Sequence, residues 1–442
     1  MILKILIGLV ALGVVIFVHE LGHFIAARCC GVEVETFSLG WGPVLFRKKI
    51  GTTEYRLSLF PIGGYCGMKG EQGFREALEK NLDAIPAEKG SLYSVHPLKR
   101  MIIAFSGPLA NLLFAVISLS IVSSQGYTYY SYDNKIIPAS VYDNTLPAPA
   151  DIAGLQKGDR IISMNNEPIR YFSDIQQYVG LHPQEEISLE YERNGEIFSS
   201  VLTPTLDKKT GLGRIGVYPY VSLVIDKVLP DSAAEAAGLE AGDEIIAVNA
   251  EPVTNSIEFS GVLAGKPELI SLTVSRNGGD LQFEIAPVYK DDGSAEIGIA
   301  WIANEIIVPG TGFLKSIQSG FSNTWRTIVL TIKSIGLLFR GVDLREAVSG
   351  PVRITVMLGE VAQNGLTSVM ELLSIICVSL FLMNLLPIPI LDGGLILFAL
   401  IELIYRKPIK PKIMYRVQYI GVGFIVCLFI FALFGDIHYL IK

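Results

Sequence analysis

The sequence predicts a mostly α-helical multi-pass membrane protein, with two copies of an α+β module inserted between its second and third membrane spans. Three observations carry that expectation. Half of the 442 residues are hydrophobic and the mean hydropathy is +0.45, high for a water-soluble chain. Apolar runs near 2–27, 101–123, 368–405 and 415–435 are each long enough to cross about 30 Å of hydrocarbon. A pattern also recurs in the polar middle. AGLQKGDRIISMNNEPI (153–169) and AGLEAGDEIIAVNAEPV (237–253) match at A-G-L, G-D, I-I, N and E-P with a constant offset of 84 residues, the mark of one module used twice.

The first run holds IFVHELGHFIAAR (16–28), two histidines and a glutamate inside an apolar stretch. A cleaved signal peptide is the alternative for this run, but its leading region has only Lys4, and cleavage after the stretch would discard the polar cluster. The third run is too long for one straight span and carries Pro387, Pro389, Gly393 and Gly394 at its centre, so a broken helix is expected there. Lys and Arg near the ends of 28–100, and the five positive charges of RKPIKPKIMYR (406–416), put those loops on the cytoplasmic side and the chain ends and residues 124–365 outside. TTEYRLSLFPIGGYCGM (52–68) alternates Tyr55, Leu57 and Leu59 with Glu54, Arg56 and Ser58 and then meets Pro61, Gly63 and Gly64: a strand, a turn and a second short strand.

Each repeat reads as a short helix closed by glycine, a G-D turn and a strand, and PTLDKKTGLG (204–213) as the linker between copies. Residues 311–341 have helical apolar spacing with Lys315, Arg326, Lys333 and Arg340 interspersed. They suit an amphipathic helix on the outer membrane surface, a fifth span being the competing reading. The expected divisions are 1–124 (spans one and two), 125–213 and 214–305 (the modules), 306–365 (interfacial helices) and 366–442 (spans three and four).

Composition also excludes. A net charge of -7 without a basic, aromatic-interleaved run rules against nucleic acid as a partner. Cys29, Cys30, Cys66, Cys377 and Cys427 all lie in or near the apolar ends, so no disulfide framework staples the middle. No G-x-S-x-G elbow occurs, and His96, His182 and His438 have no evident triad partners, which sets a serine protease aside.

His19 and His23 are four apart, so on a helix they sit about 40° apart on one face, with Glu20 flanking it. H-E-x-x-H pairs two zinc ligands with a general base. Each charged side chain at mid-bilayer costs about 2.5 to 3.5 kcal/mol, so a bound ion or water must sustain the cluster. Catalytic zinc takes three protein ligands and keeps a fourth position open. MNLLPIPILDGG (383–394) offers Asp392, a carboxylate between apolar residues and beside helix breakers; Glu371 and Glu402 lie nearer the ends of their run and read as interfacial. A helix cap beginning at Gly393 is the alternative role for Asp392, and the two are compatible.

HELGH (19–23) together with N-x-x-P-x-x-x-x-D-G (384–393) resembles the site-2 protease family of intramembrane zinc metalloproteases. The repeated module resembles the bacterial PDZ domain, and the tandem between spans two and three resembles the family's regulator-of-sigma-E protease branch. GWG (40–42), LFPIGGYCGMKGE (59–71), SGPLAN (106–111) and SGPVRI (349–354) resemble further family segments. The resemblance implies Zn2+ on His19, His23 and Asp392, Glu20 as general base, and Asn384 holding substrate backbone. It makes 52–68 a membrane-re-entrant β element whose exposed edge, Gly63, Gly64, Tyr65, Cys66 and Gly67, pairs with an unwound substrate.

The implied substrates are single-pass membrane proteins already trimmed outside, of the anti-sigma-factor type, or remnant signal peptides. The implied place is the lipid bilayer of a bacterial inner membrane, with the active site toward the cytoplasm and the PDZ modules outside, acting as a size filter or binding peptides. Neither copy has the G-L-G-F carboxylate loop; VYDN (141–144) and YVSL (220–223) are candidates for it. An intramembrane metal-ion transporter and an inactive membrane-tethered PDZ scaffold are the alternatives. Asn111 reads as a helix-packing amide.

Overall fold

A computed structural model describes residues 2–142, 147–208, 210–290, 295–338 and 350–441. Asp143 and Asn144 of VYDN, Ser349 of SGPVRI and the end of 311–341 lie outside the described residues. Two compact units are formed, Met1–Tyr127 with Pro309–Lys442, and Thr128–Val308.

The helices of the first unit include α1 (Ile2–Cys30), α2 (Glu71–Glu79), α3 (Pro97–Gln125), α4 (Phe313–Leu338), α5 (Pro351–Val361), α6 (Leu366–Asn384), α7 (Asp392–Tyr405) and α8 (Pro411–Ile441), and the four apolar runs fall in α1, α3, α6 with α7, and α8. Among the described residues, four stretches are long and apolar enough to cross a membrane: Lys4–Cys30, Pro97–Gln125, Leu366–Asn384 and Pro411–Asp436. The third expected run is broken between α6 and α7. Pro387 and Pro389 have no N–H to give a helix, and the chain closes instead on short turns, Ile388 N–H to Leu386 O at 2.7 Å and Leu391 N–H to Ile388 O at 2.9 Å. The two glycines of D-G-G let α7 start hard against this turn. A Cβ on Gly393 would lie 2.2 Å from Leu386 O, and one on Gly394 2.4 Å from Ile388 O.

Between apolar helices in lipid, close packing replaces the hydrophobic drive, and small residues set the contacts. A Cβ on Gly22 of α1 would lie 2.3 Å from Ser106 O of α3, so these two helices meet backbone to backbone. Ala11, Val15, Ala115, Leu373, Cys377 and Val378 form the buried seam of α1, α3 and α6. The expected surface helix, α4, turns Gly320 onto Val116 and Ser120 of α3 and leaves Phe313, Leu314, Phe321 and Trp325 exposed. Glu402, expected at an interface, pairs with Arg100 at 2.7 Å.

β1 (Val34–Ile50) and β2 (Thr53–Met68) are antiparallel. Residues Thr36–Leu39 pair on one side with Glu54–Leu57 and on the other with Gly64–Gly67, so β2 doubles back around β1. The turn between its halves includes Gly63 at φ +104°, where a Cβ would meet the Trp41 ring at 2.4 Å. Trp41, Val44, Leu45, Phe46, Leu57, Leu59 and Phe60 are exposed, an apolar hairpin surface unlike that of an ordinary water-facing strand pair.

The second unit is the repeat, folded as two like modules. Each has a four-stranded sheet in the same order, Arg160–Met164, Glu167–Pro168, Ile187–Arg193 and Glu196–Leu202 in the first, Glu244–Val248, Glu251–Pro252, Ile270–Arg276 and Gly279–Ile285 in the second. Each has its own core, around Ile161, Met164, Ile187 and Leu189 and around Ile225, Ile245, Ile270 and Leu272. The aspartates of the G-D turns, Asp159 and Asp243, are buried and hold Arg193 at 2.7 Å and Arg276 at 2.6 Å. Each also accepts a backbone N–H, from Gln156 and Glu240, and so ties its turn to the far strand.

The expected boundary at 213/214 moves. Gly213–Arg214 pairs with Thr205–Leu206, Ile215 is in the first core, and Val217–Pro219 pairs with Ile136–Pro138. The first module therefore runs to about residue 220, and the ends of the expected linker 204–213 form a hairpin within it. Glu258 of the second module accepts hydrogen bonds from Tyr142, at 3.1 Å, and from Lys157 of the first.

Candidate metal centre

α1 carries His19, Glu20 and His23 on adjoining faces one turn apart, and the broken third run brings Asp392 to them. His19 Nε2 lies 3.2 Å from Asp392 Oδ2 and His23 Nε2 3.3 Å from Asp392 Oδ1. The two Nε2 atoms are 3.2 Å apart. α7 begins at Asp392 rather than Gly393, with Leu391 in the cap position and no side-chain cap, so the cap role expected as the alternative for Asp392 does not form and its carboxylate faces the histidines.

The fit to zinc is testable on these distances. Ligands about 2.0 to 2.1 Å from a tetrahedral ion stand about 3.3 Å from one another, which is the spacing of all three pairs. Two imidazoles and one carboxylate are also the donors zinc takes. Among the described residues this is the one group of three or more His, Cys, Asp or Glu side chains placed to hold a metal ion.

α3 supplies the surroundings. His23 Nδ1 donates to Ile103 O at 2.8 Å, which puts the ring proton on Nδ1 and leaves Nε2 bare. One turn on, Gly107 makes room for the ring, since a Cβ there would lie 2.2 Å from His23 Nε2. Pro108 has no N–H for the carbonyl of Ala104, a residue on the cavity wall. One further turn on, the Asn111 amide reaches His19 Nδ1 at 3.3 Å. The SGPLAN segment thus lies against both histidines.

The centre opens into a cavity of about 630 Å³ whose lining includes His19, Glu20, His23, Tyr65, Cys66, Asn384 and Asp392. Glu20 faces the backbone N–H of Cys66. Of the expected edge residues, Tyr65 and Cys66 reach the cavity. Gly63, Gly64 and Gly67 serve close approach: Gly63 backs onto Trp41, Gly64 onto Ser38 O and the Glu20 side chain, Gly67 onto Thr36. The rest of the wall includes Lys69, Arg75, Tyr93 and Arg100, polar groups on the α2 and α3 side.

Sequence reasoning placed His19, Glu20, His23, Asp392 and Asn384 at one site, and all five line one cavity. It missed Ile103, Gly107 and Asn111. A backbone carbonyl has no letter in the sequence, and a glycine or an asparagine inside an apolar helix reads as packing until the partner helix is in place.

Comparison with known proteins bears on the same chemistry. The model of peptidase family M50 matches residues 7–428. A Treponema pallidum (strain Nichols) protein that bears a zinc-metalloprotease name is 48% identical over 99% of both chains. The regulator of sigma E protease of Haemophilus influenzae and the regulator of sigma-E protease of Escherichia coli (strain K12) are each 30% identical over 97% of both chains. With the family matched over nearly the whole chain and a zinc-type donor set at its centre, this membrane protein belongs to peptidase family M50 and is a zinc metalloprotease.

Proposed function

We propose that the chain hydrolyses peptide bonds in or near the membrane-spanning segments of single-pass proteins, using zinc held by His19, His23 and Asp392 and Glu20 as general base. The observation that carries this reading is the trio of 3.2 to 3.3 Å separations beside an unliganded carboxylate in the same cavity. Zinc at such a site supplies Lewis acidity, polarising a carbonyl and lowering the pKa of water. Glu20 takes a proton from the attacking water on its carboxylate and returns it to the leaving amide nitrogen. The Tyr65–Cys66 edge and Asn384 hold the substrate backbone, because a helix unwound for cleavage must find new partners for its N–H and C=O groups.

Substrates are of the anti-sigma-factor type, trimmed beforehand on the outer side, or remnant signal peptides. The two modules are PDZ domains outside the membrane that exclude bulky proteins or bind peptides, and the site lies toward the cytoplasm in a bacterial inner membrane. A metal-ion transporter needs a relay of ligand sets, and among the described residues only one such group exists. An inactive scaffold has no use for a carboxylate beside a zinc-type donor set.

The test is cleavage of a single-pass model peptide by purified protein in lipid vesicles. Wild type cuts, a chelator stops it and zinc restores it. Glu20→Gln keeps its zinc and loses about 10²- to 10⁴-fold in rate; a variant cutting at the wild-type rate removes Glu20 from its role.

A further inference from the structure

Each histidine of the centre turns one ring nitrogen toward Asp392 and the other toward α3. For His23 that second atom meets a carbonyl, which accepts only. For His19 it meets the Asn111 amide, which has a donor end and an acceptor end. Asn111 is fully buried. Its Nδ2 lies 3.3 Å from His19 Nδ1, and its Oδ1 has no hydrogen-bond partner among the described residues.

With Nδ2 donating to Nδ1, the ring proton must sit on Nε2. That is the atom facing Asp392, and a protonated nitrogen cannot ligate. An amide turned by 180° has nearly the same shape and offers Oδ1 at the position Nδ2 held. As placed, the amide leaves its Oδ1 buried without a hydrogen-bond partner among the described residues, so burial does not hold it in that orientation, and ligation through Nε2 requires the other.

We propose that Asn111 is a positioning residue of the metal centre: its Oδ1 accepts the Nδ1–H of His19 and so presents a bare Nε2 to the ion, as Ile103 O does for His23. Ile103, Gly107 and Asn111 then form one row along α3 at successive turns. The first orients one imidazole, the second makes room for it, and the third orients the other. The proposal rests on the reading of His19 as a ligand.

The test is zinc affinity of the full chain in detergent, by competition with a chelator, alongside the melting temperature of the metal-free protein. Asn111→Leu, which has no acceptor, is expected to weaken zinc roughly 10- to 100-fold without a matching fall in metal-free melting temperature. Asn111→Asp keeps an acceptor and is expected within about threefold of wild type, since carboxylate–histidine–zinc arrangements serve the same end.

Wild-type affinity in Asn111→Leu, or equal losses in the Leu and Asp variants, overturns the proposal. A measurement without any variant stands beside these: in zinc-loaded wild type, the ¹⁵N signals of His19 should show a protonated Nδ1, and a bare Nδ1 contradicts it. His19→Ala separates the two readings. If it binds zinc like wild type, the ligand set falls and this proposal with it; if it loses zinc while Asn111→Leu does not, only the role of Asn111 falls.

Discussion

Asp392 sets one carboxylate oxygen 3.2 Å from His19 and the other 3.3 Å from His23, so a single side chain near the end of the chain bridges two near its start. Two features let it do so. The L-P-I-P turn breaks the third run just where Asp392 must emerge, and Gly393 and Gly394 let the next helix begin against that turn. With Leu391 in the cap position of α7, the Asp392 carboxylate stands in the first turn and faces the histidines.

Gly107 is the point where the packing of α3 and the geometry of the centre are the same constraint. Gly107→Ala puts a methyl 2.2 Å from His23 Nε2, and the ring, fixed by Ile103 O, must give way. Zinc affinity should fall at least tenfold and cleavage with it, at a stability cost of about 1 to 3 kcal/mol for overpacking. Chelator competition measures this, and wild-type affinity in the variant would mean the helices separate freely there.

Gly350, in the SGPVRI segment, gains a reason that its letters do not carry. The buried Asp436 carboxylate of α8 accepts the N–H of Gly350 at 2.9 Å and of Val352 at 3.0 Å, capping α5 from another helix. A Cβ on Gly350 would lie 2.3 Å from Asp436 Oδ2. Asp436→Ala should lower stability by about 1 to 2 kcal/mol and leave zinc content unchanged. Thermal unfolding in detergent reads the first and metal analysis the second; an unshifted melting temperature would show the cap to be idle.

Glu258 makes the contact between the two modules pH-dependent. Burial alone would raise its carboxyl, but hydrogen bonds from Lys157 and from Thr254 outweigh burial and bring it from 4.5 down to about 2. A depressed carboxyl contributes stability in full above its unfolded value and loses it as pH falls toward the folded one. The window is therefore from about pH 4.5 down to about 2. Between pH 7 and pH 2.5, wild type should lose about 1 to 2 kcal/mol more than Glu258→Gln, allowing for solvent screening. Urea unfolding followed through Trp301, in full chain carrying Trp41→Phe and Trp325→Phe, measures the difference; equal losses would contradict it. Asp243, held down by Arg276, titrates alike in both proteins and cancels.

The candidate ligand cluster was legible in the sequence because lipid penalises it: histidines and carboxylates inside apolar runs need a reason, and one shared metal ion would give His19, His23 and Asp392 theirs. The broken span was legible for the same kind of cause, two prolines and two glycines where a helix should continue. What could not be read is whatever depends on which elements meet. PTLDKKTGLG has a linker's composition, yet its ends pair as strands, and Val217–Pro219 belongs to the first module only because Ile136–Pro138 lies beside it. Asn111 reads as packing until α1 is set against it. The capping of α5 by Asp436 joins two segments with no shared pattern.

Whether Asp392 joins the two histidines on one ion is decided by the zinc content of purified wild type and Asp392→Ala, with the folded state of both checked by melting temperature. About one zinc per wild-type chain is expected, and less than about a tenth of that in a folded variant, because two histidines alone do not make a catalytic site. A folded Asp392→Ala protein that keeps its full zinc would contradict that expectation.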